Sequence, residues 1–259
     1  MPSQETIFVY SGKGGVGKTT VSTNLAFANQ LNGNETGLFD ADLQGPNVGS
    51  MVQDLEEKAP HISDVDAVVP GAYSGVKANS MELLLGDDDG VYLSGQYLSG
   101  AIQQLLVMPK WGVDQLFIDL PPGTGKIHRN ILSQLDGKAV LVTTPHSSSL
   151  DNLRKGIEML ENFDIDVIGV IENMAYHTCS CCGEKESIFP GAATSQLCEE
   201  YNFYQLSELP INSKIGKIAS EGRPFVYDYR DSEAGMRFRQ AAKEIVDRYD
   251  EALTARPTG

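Results

Sequence analysis

Apolar residues rich in β-branched side chains occur along this chain in short runs, each about as long as one strand. Runs of this length and composition are typical of strands buried in a parallel sheet. The five predicted strands are Thr6 to Tyr10, Gly37 to Phe39, Gln115 to Asp119, Ala139 to Thr143 and Val167 to Ile171. Each is followed by a segment of different periodicity.

Three of those segments repeat apolar residues at helical spacing. They are Thr19 to Leu31, the stripe Leu150, Leu153, Ile157 and Leu160, and the stripe Phe238, Ala241, Ala242, Ile245 and Tyr249. Alternation of strands and helices predicts an α/β fold with a mostly parallel central sheet flanked by helices. Met51 to Gly90 fits neither pattern, and the acidic run Asp87 to Asp89 within it predicts a solvated loop. We expect a single domain over residues 1–259, with a frayed tail at 253–259.

Composition narrows the possible functions. The chain has 259 residues, 41% of them apolar and 21% charged, which is typical of a globular protein. Its net charge of −15 repels phosphate backbones and anionic lipids, so we expect no nucleic-acid and no membrane partner. No apolar run approaches the roughly 20 residues that span a bilayer. No signal peptide is visible, so we expect a cytoplasmic protein.

A glycine-rich loop follows the first predicted strand and carries the clearest chemical signal. Residues 12–19 read GKGGVGKT, which fits the pattern GxxxxGK[ST] at every position. Glycines let the backbone N–H groups point at phosphate oxygens, Lys18 bridges the β- and γ-phosphates, and Thr19 places a hydroxyl on Mg²⁺. The predicted ATP-binding residues of this loop are Gly12, Lys13, Gly14, Gly15, Val16, Gly17, Lys18, Thr19 and Thr20. The alternative is a strand-to-helix turn without a ligand.

The four cysteines form an uneven pattern. Cys179, Cys181 and Cys182 lie within four positions, and Cys198 stands apart. This spacing is too cramped for a disulfide framework, so the cluster predicts a metal-binding or redox-active segment. One chain supplies a single pair at CxxC spacing, two thiolates short of a four-thiolate site, and a partner chain could supply the other two.

Several motifs together closely resemble the Mrp (ApbC) branch of the deviant Walker A ATPases, in the MinD/ParA superfamily. They are KGGVGKT with the extra Lys13, DADLQGP at 40–46, DLPPGTG at 119–125, and the cysteine segment after residue 172. The resemblance covers about Thr6 to Phe225. It implies a three-layer P-loop NTPase fold of the SIMIBI type and cytosolic ATPases that assemble and carry iron–sulfur clusters. It also implies a homodimer in which Lys13 reaches the nucleotide of the partner subunit.

The resemblance also assigns roles around the nucleotide. Lys13, Lys18 and Asp42 become the catalytic residues, with Asp42 orienting the attacking water. Asp40 assists Asp42, Asp119 holds Mg²⁺ through water, Gly123 senses the γ-phosphate through its N–H, and Asn173 binds adenine. The alternatives are that the acids only cap turns, that Asn173 is a turn residue and that Lys13 is a solvated lysine on the loop. Lys126 departs from the family, which has an acid there.

For the cysteine segment, an insertion around 176–190, the resemblance implies that Cys179 and Cys182 of two subunits hold one 4Fe-4S cluster. Tetrahedral four-cysteine coordination also suits zinc, so zinc is the alternative metal that can substitute. Cys181 could be a spare ligand or a local thiol. We expect Cys198 to be structural and His177 to be a solvated side chain.

These features favour a slow ATPase that carries clusters to apo-proteins. A positioning ATPase of the MinD/ParA type without a metal is one alternative, and a nickel or zinc insertion ATPase is another. A membrane-bound positioning ATPase should have a basic amphipathic tail. From Lys243 onward, three basic and four acidic residues argue against that tail.

Overall fold

The computed structural model describes residues 4–42, 47–63, 68–80, 83, 95–179, 181–189 and 193–254. Residues 43–46 of the DADLQGP motif, the acidic run Asp87 to Asp89, Ser180 and residues 255–259 of the predicted tail lie outside these ranges. Within the described ranges, no helix combines the length and the apolar character that crossing a bilayer requires.

Strands and helices alternate along most of the described chain. The strands there are β1 (Glu5–Tyr10), β2 (Thr36–Asp40), β3 (Glu56–Lys58), β4 (His61–Ile62), β5 (Val68–Val69), β6 (Gly71–Tyr73), β7 (Val76–Asn79), β8 (Gln115–Asp119), β9 (Lys138–Thr143), β10 (Asp166–Thr178), β11 (Lys185–Ser187) and β12 (Tyr204–Ile211). The helices there are α1 (Lys18–Leu31), α2 (Val48–Val52), α3 (Gly95–Ile102), α4 (Lys126–Leu132), α5 (Ser147–Glu161), α6 (Ala193–Tyr201), α7 (Ser213–Ser220), α8 (Phe225–Asp228) and α9 (Glu233–Thr254).

The centre of the molecule is a parallel sheet, as the sequence predicts. Its neighbouring strands run in the order β10, β9, β1, β8, β2 and β7, and every pair among them is parallel. β12 adds a parallel strand on the other side of β10. Asp40 and Asp119 are register partners at the ends of β2 and β8. Ligands in open α/β sheets bind at this carboxyl edge.

Helices cover both faces of the sheet, which gives three layers. Side chains of β1 alternate between the two faces: Ile7 and Val9 belong to one apolar cluster, and Phe8 and Tyr10 to the other. The first cluster contains residues of α1 and α9, and the second contains residues of α4 and α5. The predicted α/β class and layering are therefore confirmed.

The segment Met51 to Gly90, which fits neither sequence pattern, contains regular structure. Where it is described, it contains β3 to β7, and β7 is the parallel neighbour of β2. β7 is short and includes Lys77, whose Nζ donates to the carbonyl oxygens of Trp111 and Gly112 at 2.6 and 2.9 Å. Lys77 interrupts the apolar residues of β7. The strand therefore lacks the apolar run by which the other strands were predicted.

β10 is the second departure. The sequence predicts a strand that ends at Ile171, but β10 continues to Thr178. Asn173, expected just after the strand, therefore lies inside it. The pairing of β10 with β12 shifts register between Glu172 and Tyr176, and Met174 in this interval has φ 57°. Beyond this irregularity, β10 pairs with the antiparallel β11.

Candidate functional site

The glycine-rich loop joins β1 to α1 and has the backbone that its glycines allow. Gly15 and Gly17 have φ values of 82° and 80°, in the left-handed region that side chains disfavour. At Gly12, a Cβ would lie 2.4 Å from the backbone nitrogen of Leu153 in α5. Gly12 is thus required by close packing, and Gly15 and Gly17 by their dihedral angles.

Lys18, Thr19 and Asp119 form one polar cluster below the loop. The Lys18 ammonium lies 2.6 Å from Asp119 Oδ1, and the Thr19 hydroxyl donates to Asp119 Oδ2 at 2.7 Å. Lys18 is 7% exposed and Asp119 is fully buried. A hydroxyl and a carboxylate are hard oxygen donors of the kind Mg²⁺ prefers, so this pair fits a magnesium ion.

Asp40 organises the chain that follows β2. Its carboxylate accepts hydrogen bonds from the backbone N–H groups of Asp42, Asn47 and Val48 at 2.8 to 3.0 Å. Burial and the neighbouring Asp119 carboxylate raise the pKa of Asp40 to about 7, although the three hydrogen bonds lower it. Asp40 therefore holds the backbone that carries Asp42, which is half-buried beside the cluster.

A loop of residues 121–125 connects β8 to α4, and we call it the switch loop. Gly123 lies at its centre with φ 88° and open space around the position of a Cβ. The carbonyl of Pro121 and the N–H of Gly125 contact the same buried side chain, His128. Sequence reasoning did not select His128, because its partners are backbone atoms that no motif reveals.

Asn173 connects β10 to the glycine-rich loop. Its Nδ2 donates to the carbonyl of Val16 at 2.9 Å, and a Cβ on Gly17 would lie 2.4 Å from the same nitrogen. Asn173 also lines a cavity of about 240 Å³. The cavity is bounded by Gly17, Thr20, Asn173, Met174, Pro210, Ile211, Asn212, Ile215, Gly216 and Phe238. It opens a mostly apolar space next to the start of α1.

The cysteine pair lies at the tip of a hairpin that extends from β10. Thr178 pairs with Lys185 of β11, and the connecting turn is closed by bonds from Cys179 N to Glu184 O and from Gly183 N to Cys179 O, both 2.9 Å. Cys182 is exposed and Cys179 is partly exposed. We call residues 176–187 the cysteine hairpin.

The turn favours a thiolate at Cys179. Hydrogen bonds from the backbone N–H groups of Cys182 and Cys181, and then from the Cys182 side chain, lower the pKa of the Cys179 thiol. Thiolates are the metal-binding form of cysteine. Within the described residues, no group of three or more His, Cys, Asp or Glu side chains could hold a metal ion. A closed zinc or iron–sulfur site takes four ligands, more than one CxxC pair supplies.

Glu233, the first residue of α9, anchors this hairpin. Its Oε1 accepts from Tyr176 Oη at 2.9 Å and from Lys185 Nζ at 2.6 Å, and Arg237 lies 3.4 Å away. The hydrogen bonds from Lys185 and Tyr176 lower the pKa of Glu233. Sequence reasoning also missed this cluster, because its members are distant in the chain.

The predicted site residues thus lie in two groups. Lys18, Thr19, Asp40, Asp42 and Asp119 meet at the carboxyl edge of the sheet, and Cys179 and Cys182 lie on the hairpin that prolongs β10. Lys13 is exposed on the glycine-rich loop. Cys198 is buried in α6 and His177 is exposed. Lys126 is exposed at the start of α4.

Comparison with known proteins identifies the family. A family model described as ParA, NUBPL iron-transfer P-loop NTPase, matches residues 3–246. The chain belongs to the NUBPL iron-transfer P-loop NTPase family. An iron–sulfur cluster carrier protein of Pseudomonas fragi is 37% identical over 238 residues, covering 91% of this chain and 83% of that protein.

This NUBPL family member is also similar to other proteins. An iron–sulfur cluster carrier protein of Haemophilus influenzae is 38% identical over 241 residues, 92% of this chain, which spans 65% of that relative's length. A nucleotide-binding protein of Archaeoglobus fulgidus, solved in complex with ADP, is 32% identical with a TM-score of 0.71. That match covers 85% of this chain and 86% of the other.

Proposed function

We propose that this chain binds Mg-ATP, hydrolyses it slowly as a homodimer, and assembles a 4Fe-4S cluster between two subunits for transfer to apo-proteins in the cytoplasm. One observation carries the proposal: β10 contacts the glycine-rich loop through Asn173 and ends in the exposed Cys179 and Cys182 hairpin. A single strand thereby links a nucleotide site to a metal-thiolate site.

The nucleotide site follows from the cluster below the loop. When ATP binds, the Lys18 ammonium would leave Asp119 and bind the β- and γ-phosphates. Asp119 and the phosphates are both anionic, but the phosphates carry more negative charge. Thr19 and, through water, Asp119 would hold Mg²⁺, which supplies neutralisation of the phosphate charge. The 240 Å³ cavity beside Asn173 would receive adenine, since its walls are mostly apolar and it adjoins the start of α1.

For hydrolysis, the acids at the sheet edge have separate tasks. Asp42 would orient the attacking water, and Asp40 would keep Asp42 in place through its bonds to the backbone. Gly123 would donate its N–H to the γ-phosphate. Lys13 is exposed and would reach the nucleotide of the partner subunit, stabilising charge that develops as the phosphate leaves.

The cluster site follows from ligand number and exposure. One hairpin supplies two thiolates, while a 4Fe-4S cluster takes four, so a second copy completes the site. A cluster held between two exposed hairpin tips can be released when the subunits separate, which suits a cargo that is handed on. Nucleotide state would control that separation because ATP lies at the same interface.

Anaerobic reconstitution with iron and sulfide tests the proposal. We expect a coloured homodimer with about four irons per dimer. Cys179→Ser and Cys182→Ser should abolish cluster binding and keep ATP binding. Cys198→Ala is the control, because that thiol is buried in α6 and lies outside residues 176–187, and it should retain the cluster.

The remaining outcomes separate the alternatives. A colourless zinc-loaded dimer that excludes iron would support metal insertion instead. A metal-free ATPase whose activity is indifferent to Cys179→Ser would support a positioning ATPase. Cys181→Ser decides the role of the third thiol: retention of the cluster makes Cys181 a bystander, and loss makes it a ligand.

A further inference from the structure

The imidazole of His128 touches both ends of the switch loop. Gly125 N–H lies 3.1 Å from Nδ1, and the carbonyl of Pro121 lies 2.8 Å from Nε2. The residue is 1% exposed. Between these two contacts lies Gly123, in a stretch that includes two residues without an amide hydrogen, Pro121 and Pro122.

The two partners determine the state of the ring. A backbone N–H can only donate, so Nδ1 must accept, and a carbonyl can only accept, so Nε2 must carry the hydrogen. The ring therefore makes both bonds only as the neutral Nε2–H tautomer. An imidazolium would set an Nδ1–H against the Gly125 N–H and break one end of the bridge.

Surrounding residues hold the ring in this orientation. Tyr10, the last residue of β1, meets it edge-on at 5.8 Å between centroids. Gly156 in α5 makes room for Tyr10, since a Cβ there would lie 2.0 Å from Tyr10 Cε1. The position of the ring is thus fixed by β1 and α5, and the ring in turn fixes the loop.

We propose that His128 is a positioning residue for ATP hydrolysis, which clamps the switch loop so that the Gly123 N–H faces the γ-phosphate. This inference rests on the proposed function. It deepens that function by naming a residue that touches neither nucleotide nor metal. Because ADP has no γ-phosphate, the clamp affects turnover and leaves ADP affinity unchanged.

Two conservative variants separate the two bonds. Asn places its amide oxygen near the position of Nδ1, so His128→Asn keeps an acceptor for Gly125 and loses the bond to Pro121. Gln places its amide nitrogen near Nε2, so His128→Gln keeps the donor to Pro121 and loses the bond to Gly125. His128→Ala loses both. His61→Gln is the control, since His61 lies in the small β4–β5 sheet.

We expect kcat about tenfold lower in His128→Ala and about two- to fivefold lower in His128→Asn and His128→Gln, from the usual net value of one or two hydrogen bonds. ADP affinity should stay within about twofold, and His61→Gln should match the wild type. The inference is overturned if His128→Asn and His128→Gln both keep the wild-type kcat, or if kcat and ADP affinity fall in equal proportion.

A measurement on the wild type keeps the test independent of variant folding. ¹⁵N chemical shifts of the His128 ring should report the neutral Nε2–H tautomer at neutral pH, and the other tautomer or an imidazolium would overturn the clamp. If the wild type hydrolyses no ATP, the proposed function fails, while the ring measurement still decides the geometry of the clamp.

Discussion

The amide nitrogen of Asn173 donates to the carbonyl of Val16 at 2.9 Å, and both groups are buried. Cys179 directly follows the end of the same strand, at the tip of the hairpin. A change in the glycine-rich loop on nucleotide binding would therefore reach β10 through this bond. Met174 lies between Asn173 and Cys179 and has a positive φ. It lies in the interval where the pairing of β10 with β12 shifts register. Strands bend locally at irregularities of this kind.

Asn173→Ala tests this connection. It leaves the Val16 carbonyl without its donor, so we expect ATP and ADP affinity to fall about three- to tenfold, by isothermal titration. Asn162→Ala is the control, because the amide of the exposed Asn162, just after α5, bonds to the carbonyl of Glu158, and it should bind nucleotide normally.

The same variant tests coupling between the sites. In the wild type, cluster loading should change ATP affinity, and ATP should change cluster affinity by the same factor, since coupling is reciprocal. In Asn173→Ala both factors should approach one. Coupling that persists unchanged in this variant would place the connection elsewhere.

Lys18 and Asp119 form a buried pair whose two members depend on each other. Lys18→Met leaves Asp119 buried without its cation, so we expect a loss of about 3 kcal/mol in the free energy of unfolding. Adding Asp119→Asn should restore part of that loss. Urea denaturation of the four proteins of the double-mutant cycle measures the interaction. Strict additivity of the two single changes would show that the pair is not coupled.

Asp42→Asn preserves the shape of the side chain and removes its charge. Because the backbone of Asp42 is held by Asp40, the variant should bind ATP with near wild-type affinity. We expect hydrolysis about a hundredfold slower, as befits loss of a residue that orients water. Asp164→Asn, in the exposed turn after α5, is the matched control. Unchanged turnover in Asp42→Asn would remove that residue from the mechanism.

Glu233→Gln tests the anchor of the cysteine hairpin. The change keeps an oxygen for Tyr176 but removes the charge that holds Lys185 and Arg237. These pairs are partly exposed, so a modest effect is expected: iron release to a chelator about two- to fivefold faster, with little change in melting temperature. Asp247→Asn, which breaks the exposed pair with Lys243 on the same helix, should leave release unchanged.

The sequence pattern predicted the features that depend on residues close together in the chain. The glycine-rich loop, the five central strands and the main helices follow from local periodicity and a contiguous motif. β7 and β12 were not predicted, because polar side chains interrupt their apolar pattern. The His128 clamp and the Glu233 anchor were not predicted for another reason: each depends on where the fold brings backbone or side chains together. Tyr176 and Glu233, for example, are 57 residues apart in the chain.

His128 also predicts a pH dependence of stability. Burial lowers its pKa in the folded protein, with Lys18 acting in the same direction, and the bond to the Pro121 carbonyl and the charge of Asp42 acting against it. Tyr10 faces the ring edge. The unfolded chain therefore binds a proton near the ordinary pKa of about 6.5, before the folded chain does. The free energy of unfolding should then fall as pH drops below about 6.5, by at most about 1.4 kcal/mol per pH unit for this one proton.

Urea denaturation at pH 5 and at pH 6.5 measures that slope. His128→Asn has no group that titrates at this position, so its slope over the same interval should be smaller than that of the wild type. Carboxylates elsewhere affect both proteins equally, and the difference isolates the histidine. Equal slopes would mean that the folded protein accepts the proton as readily as the unfolded chain, which a ring that bridges Gly125 and Pro121 as a neutral tautomer cannot do.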